Sequence, residues 1–381
     1  TSPSLLFGKG LAQRACFRQP QQPELPGSCS EEEPPRDDAS GSRGDGVALE
    51  ATPPPRPAIV QDPTVLQRYT LGSEVMPSWN PDMQVRFAVR QADGLRVVMK
   101  VRGKRGSFVD AREEQVWRKT TETMLSLPDS PTRAKLLEVC EDAYRYYIVM
   151  ERVAGQDLFQ LVEGSGCPSV AQTRVLLKQI LEAVAEMHMR GLIHKDLKLD
   201  NIVVERPTKP EATEEVPTES TIAPSEAGAP PALKLVDFDT VGVYSPKEAR
   251  VARSITGTDQ YIPQEAYGGT YSPASDMFAV GVMAYRMLTG AFPFRHDTFD
   301  DEAGENYVGS PKMQEIQRRL RSYRVDFDHP VFAEVPAAQS LCRSLLAVEP
   351  QSRPSAAEAL RHPFLAPASA TSSKKLRGWL P

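Results

Sequence analysis

Gly191–Val204 reads GLIHKDLKLDNIVV, and it crowds a His, two Lys, two Asp and an Asn against a continuous apolar run. A polar turn between a helix and a strand would account for one or two such side chains. A cluster from His194 to Asn201 at the mouth of a strand that reads as buried points instead to a loop that carries chemistry. Upstream, VAQTRVLLKQILEAVAEMHMRG places Leu177, Ile180, Leu181, Val184 and Met187 at helical spacing and stops at Gly191. The loop therefore joins the end of a long helix to the start of a strand.

The chain has 381 residues and 40% hydrophobic content, enough to bury a large core in one domain or two lobes. A formal net charge of −5 gives no electrostatic case for nucleic acid or an anionic membrane as partner. The five cysteines (Cys16, Cys29, Cys140, Cys167, Cys342) are odd in number and lack metal-ligand spacing. That usage suits a reducing compartment, cytoplasmic or otherwise intracellular. No apolar run approaches the roughly 20 residues of a membrane helix. No pattern in the sequence sets an oligomeric state.

Residues 1–64 are rich in Pro, Gly, Ser and Glu, and such a segment buries too little apolar surface to offset its ordering entropy. It is expected to be disordered. The same composition recurs at 205–232, between the strand-like runs NIVV and LKLVDF, and reads as a solvated insert whose flanking strands still pair. A polar tail occupies 367–381. Between these segments, residues 65–150 carry mostly strand signals. QVRFAVRQADGLRVVMKV shows two apolar runs joined by Asp93-Gly94, a hairpin cue, and DAREEQVWRKTTETMLSL is the one helix-like stretch. Helical signals dominate residues 151–366, where SDMFAVGVMAYRMLTG is nearly apolar throughout, as a buried central helix would be. The expected architecture is α+β, a small sheet-rich lobe followed by a larger helical one.

HKDLKLDN resembles the catalytic loop of protein kinases, H-R-D-L-x-x-x-N. LKLVDFDT resembles the strand that delivers the Asp-Phe-Gly motif, and RVVMKV the strand with the phosphate-binding Lys. YYIVMERVAGQDLF is similar to the hinge between lobes, and GTDQYIPQEA to the end of the activation segment. SDMFAVGV and EPQSRPSAAEALRHPFL resemble two structural helices of the large lobe. Seven motifs stand in the family's order from about Arg68 to Leu365, with most likeness to the calcium/calmodulin-dependent and calcium-dependent serine/threonine kinases.

The resemblance implies a bilobal kinase fold, ATP and Mg²⁺ as cofactors, and protein substrates. It implies that Asp196 orients or deprotonates the substrate hydroxyl and that Lys198 sits over the transferring phosphoryl group. Lys100 would hold the α- and β-phosphates, and Asn201 and Asp237 would hold magnesium through oxygen ligands. Backbone at Glu151 and Val153 would meet the adenine edge, with Met150 behind it and Val85, Ala88, Val98 and Val203 around it. His194 is expected to brace the loop, Glu265 and Arg353 to form a buried ion pair, and Trp117 and Trp79 to pack.

The departures matter as much. Aligned back from VRFA, the three glycines of the family's Gly-rich loop become Ser78, Asn80 and Met83, and Pro81 removes an amide. Asp239 replaces the glycine of Asp-Phe-Gly, and Lys195 replaces an Arg. Counting back from KLLEV places Thr120 where the family has the Glu that pairs with the catalytic Lys, leaving Glu113, Glu114 and Glu122 as candidates. The chain thus reads as a serine/threonine kinase, with a catalytically impaired pseudokinase scaffold as the alternative that these departures raise. In the activation segment, Ser254 and Thr256 are possible phosphorylation sites near Lys195, while Thr258 matches an unmodified structural Thr. For the peptide, Asp157 and Asp200 match carboxylates that attract an Arg three before the acceptor. Arg286 stands where a third carboxylate would be, and is expected to repel an Arg two before it.

Overall fold

A computed structural model describes residues 58–76, 82–205, 232–248, 251–302 and 304–366. The disorder expected at 1–57 and 206–231 and the polar tail at 367–381 lie outside the described residues, as do Ser78, Trp79, Asn80 and Pro81. The small lobe is a six-stranded sheet in the order β1-β5-β6-β4-β3-β2. Its strands are β1 (Val60–Gln61), β2 (Tyr69–Met76), β3 (Met83–Arg90), β4 (Arg96–Gly103), β5 (Leu136–Glu141) and β6 (Arg145–Glu151), with helix α1 (Ala111–Leu125) between β4 and β5. The β3–β4 hairpin turns where Asp93-Gly94 predicts. Gly94 takes φ 73°, and the Asp93 carboxylate accepts from Leu95 N–H at 3.1 Å.

Alternation along β4 divides its side chains between the two faces of the sheet. Val97, Met99 and Val101 join Val65, Tyr69, Ala88, Cys140, Tyr147 and Val149 in a separate small core. Val98, Lys100 and Arg102 point to the opposite face, the one covered by Trp117 and Met124 of α1. Trp117 packs on Tyr146 with ring centroids 4.6 Å apart, the packing role expected of it.

Residues 58–64, expected to be disordered, belong to this sheet. Val60 pairs in parallel with Cys140, Asp62 N–H donates to Glu141 at 2.9 Å, and Ile59 and Val65 are buried. Arg68 bridges Asp62 and Glu138, each at 3.0 Å. The surrounding prolines dominate the composition, but two apolar side chains and one edge strand suffice to seat the segment.

The large lobe is helical: α2 (Leu158–Ser165), α3 (Val170–Met189), α4 (Pro273–Thr289), α5 (Pro311–Ser322), α6 (Pro330–Glu334), α7 (Pro336–Leu345) and α8 (Ala356–Ala359). Ser169 and Gln172 form a reciprocal cap at the start of α3, and Leu177, Ile180, Leu181, Val184 and Met187 of that helix are all buried. Every residue of α4 from Ser275 to Leu288 is buried, as its apolar sequence requires. Short strands line the cleft side: β7 (Gly155–Asp157), β8 (Leu192–Ile193), β9 (Ile202–Glu205), β10 (Leu233–Leu235) and β11 (Gly242–Val243). β9 and β10 pair antiparallel, and Glu205 N–H meets Ala232 C=O at 2.8 Å, so the pairing expected of these two strands extends to Glu205 and Ala232. β7 crosses β9 so closely that a Cβ on Gly155 would lie 2.0 Å from Val204 C=O, and only glycine fits. The Glu265–Arg353 ion pair forms as expected, bidentate at 2.6 and 3.0 Å and buried. Among the described residues no helix is long and apolar enough to cross a membrane.

Candidate active site

Lys100 projects from β4 into the cleft and is only 7% exposed. Its Nζ lies 2.9 Å from Asp237 Oδ1 and 2.6 Å from Asp239 Oδ2. Burial alone would lower the lysine pKa, but the two carboxylates outweigh it and hold the ammonium charged. Partial burial works against Asp237 too, yet Lys100 at contact brings its carboxyl down to about 2. Asp237 adopts φ 61°, a left-handed conformation uncommon outside glycine. Phe238 behind it meets the His194 ring edge-on at 6.0 Å.

The catalytic-loop sequence is pinned from below. Asp276 of α4 accepts from the N–H groups of His194 (2.8 Å) and Lys195 (2.9 Å), which holds Lys195 at φ 69°. His194 is fully buried, and burial lowers its pKa, so it braces the loop as a neutral ring. On that base stands the Asp196 carboxylate. Lys198 Nζ donates to Asp196 Oδ2 at 2.9 Å, and Thr258 Oγ1 donates to Oδ1 at 2.8 Å. Lys198 also donates to Thr258 Oγ1 at 2.9 Å, closing a triangle. Gly257 brings Thr258 this near: it takes φ 118°, and a Cβ there would sit 2.7 Å from Lys195 C=O. Asn201 Nδ2 donates to Asp196 C=O at 2.8 Å, which ties its side chain to the loop backbone through the amide nitrogen.

Strand register assembles the walls above. Val85 pairs across from Lys100, and Val98 across from Met150. Val85, Val98, Val153 and Val203 are half-buried and Met150 is buried, whereas Ala88, expected beside them, pairs with Val97 and faces the small core on the opposite side of the sheet. Glu151 joins the lobes: its side chain accepts from Lys135 N–H at 3.0 Å and pairs with Lys234 of β10.

A sequence model of the family described as protein kinase domain matches residues 83–365. The chain belongs to the protein kinase family. It is 28% identical over 352 residues to calcium-dependent protein kinase 34 of Arabidopsis thaliana, covering 88% of this chain and 60% of that one. It is 30% identical over 256 residues to calcium/calmodulin-dependent protein kinase type IV of Mus musculus, covering 65% of this chain and 47% of the relative. Sperm motility kinase Z of Mus musculus is 28% identical over 244 residues, 64% of this chain and 41% of its own. The chain thus spans 41–60% of the length of these relatives.

Two features of this kinase domain differ from the sequence expectation. Lys100 has Asp237 and Asp239 as its carboxylate partners among the described residues, and none of Glu113, Glu114 or Glu122. Glu113 accepts from Val109 N–H, Glu114 from the Tyr146 hydroxyl, and the Thr120 hydroxyl returns to Val116 C=O at 2.9 Å. Arg286, expected to face the peptide, is 7% exposed and pairs with Glu163. Its guanidinium lies 4.0 Å from the Phe292 ring centroid and 5.1 Å from that of Phe159. Helix packing settled both points, and the only sequence signal for the first was the carboxylate at 239.

Proposed function

We propose that this domain is a serine/threonine protein kinase that transfers the γ-phosphoryl group of ATP to a protein hydroxyl. The observation that carries the reading is the Asp196 carboxylate, held on one oxygen by Lys198 and on the other by Thr258. A carboxylate so oriented can accept a hydrogen bond from an incoming hydroxyl and take its proton as the oxygen attacks phosphorus. Lys198, whose pKa stays raised despite burial because Asp196 faces it, would neutralise oxygens of the group in transit. Lys100 would bind the α- and β-phosphates, and Val85, Val98, Met150 and Val203 would enclose the adenine, with the backbone of Glu151 and Val153 along its edge.

The family implies ATP as substrate and, typically, Mg²⁺. The donor chemistry fits: Asn201 carries an amide oxygen, its amide nitrogen already being bonded to Asp196 C=O, and the half-exposed Asp237 keeps a charged carboxylate, both hard oxygen ligands. When bound, Mg²⁺ would offset charge on the phosphate oxygens. Serine/threonine specificity is supported by Lys198, the residue type at that position in serine/threonine kinases. The test is phosphotransfer from radiolabelled ATP to a serine/threonine peptide library, with Lys100→Met and Asp196→Asn as controls. Transfer lost in both variants supports the reading. Wild-type protein that neither transfers phosphate nor gains thermal stability with millimolar Mg²⁺-ATP would refute it.

A further inference from the structure

We propose that Asp239 is a positioning residue for Lys100, standing in for the helix carboxylate that this chain lacks at Thr120. The inference rests on the assignment of Lys100 to the nucleotide phosphates. A buried ammonium needs anionic partners, and one-sided pairs in such places are strongly disfavoured. Asp237 supplies one partner, but its side chain is 39% exposed and is the carboxylate that would also face metal. Asp239 is 11% exposed and its Oδ2 lies 2.6 Å from Lys100 Nζ, a close ion pair without hydrogen-bond geometry, while the hydrogen bond of Lys100 goes to Asp237 Oδ1 at 2.9 Å.

Helix α1 offers nothing in its place. The Thr120 hydroxyl is bonded within its own helix, and Glu113 and Glu114 are occupied by Val109 and Tyr146. Nor does α1 depend on Lys100 for its own position. Arg118 grips Glu141 of β5 with two bonds, 2.7 and 2.8 Å, and reaches the Tyr146 hydroxyl at 2.9 Å. Arg102, next on the Lys100 face of β4, packs its guanidinium 4.2 Å from the Phe108 centroid and 5.3 Å from that of Trp117. The helix is therefore riveted to the sheet, and both anions that orient Lys100 come from one three-residue stretch, Asp237–Asp239. Displacement of α1 leaves the lysine in place, while displacement of that stretch releases it.

The experiment begins with wild-type phosphotransfer, whose absence would count against the kinase reading and not against the pairing. The pairing is read without nucleotide or metal, from melting in EDTA of wild type, Lys100→Met, Asp239→Gly and the double variant, with Asp239→Asn as an isosteric check. Loss of both partners should cost less than the sum of the single losses. Additive losses overturn the pairing. In steady state, Asp239→Gly should lower kcat/KM for ATP by about tenfold or more. Adding Thr120→Glu to Asp239→Gly should recover most of that loss by returning a carboxylate from the helix side. Wild-type turnover in Asp239→Gly, or no recovery with Thr120→Glu, overturns the positioning role. Additive melting together with a higher Mg²⁺ requirement would make Asp239 a metal ligand only, which also overturns it.

Discussion

Thr258 Oγ1 donates to Asp196 Oδ1 at 2.8 Å from a position only 4% exposed, so the activation segment reaches the Asp196 carboxylate itself through this hydroxyl. That hydroxyl also accepts from Lys198, leaving it engaged on two sides. A kinase acting on Thr258 would have to break both bonds and extract a buried side chain. Thr258→Val should therefore lower kcat about tenfold or more with KM for ATP little changed, and Thr258→Ser should retain most of the rate. Phosphatase-treated and untreated protein should be equally modified at Thr258, that is, not at all by intact-mass analysis. A Thr258→Val enzyme as fast as wild type would remove this contact from the mechanism.

Asp276 sets a pH limit on the same loop. It is 2% exposed, and burial alone would raise its pKa. The His188 ring at 2.9 Å and the His194 N–H outweigh burial and hold the carboxyl below its ordinary value of 3.8. A carboxylate with a depressed folded pKa stabilises the fold above its unfolded pKa, and that contribution is lost as pH falls through the folded value. Stability should thus drop on acidification below about pH 4. Asp276→Ala strands the His188 ring nitrogen and two backbone N–H groups, at about 1–3 kcal/mol for each buried group left unpaired. Asp276→Asn keeps one acceptor, so it should melt above Asp276→Ala and show a flatter acid limb. Identical acid limbs in wild type and Asp276→Asn would assign the acid sensitivity to other groups.

These two contacts separate what is readable from sequence from what is not. The loop chemistry of Asp196, Lys198 and Asn201 lies within a few residues, and the periodicity that marks α3 and α4 is equally local. Partner choice is not local. Lys100 and Asp237 are 137 residues apart, and the second anion could in principle come from α1 or from the stretch after β10. Which one arrives depends on where packing of Trp117 and Arg118 sets the helix. Arg286 makes the same point, since its neighbours Glu163 and Phe292 come from other segments that close around it. The edge strand at Val60–Gln61 was hidden for a different reason: two residues carry no periodicity, and the flanking prolines outweigh them in composition.

That edge strand should stabilise the small lobe. Removing residues through Thr64 deletes the Val60–Cys140 pairing, uncovers the site of buried Ile59, and takes Asp62 from Arg68. Burial of one large aliphatic side chain contributes about 1.5–3 kcal/mol. A chain beginning at Val65 should therefore melt several degrees below one beginning at Ala58. Equal melting temperatures would mean that the strand is not held in solution.

Peptide selection follows from which charges near the catalytic loop are left unneutralised. Asp157 spends one oxygen on the Gln160 N–H at 2.8 Å, capping α2. Asp200 Oδ2 is buried without a hydrogen-bond partner among the described residues. Burial raises the pKa of both, and Asp157 adds to the effect at Asp200. A cationic side chain arriving there would relieve this cost, which favours an Arg three before the acceptor. Arg286 takes no part, because its charge is already met by Glu163 and the faces of Phe292 and Phe159. A positional-scanning library should accordingly show selection for Arg three before the acceptor, weakened several-fold by Asp200→Asn. The same library should show no selection against Arg two before it. Arg286→Glu should create no new preference and should instead destabilise the lobe, since it sets a carboxylate at a buried position beside the exposed Glu163. A stable Arg286→Glu domain that gains selection for Arg two before the acceptor would mean that the side chain swings into the groove.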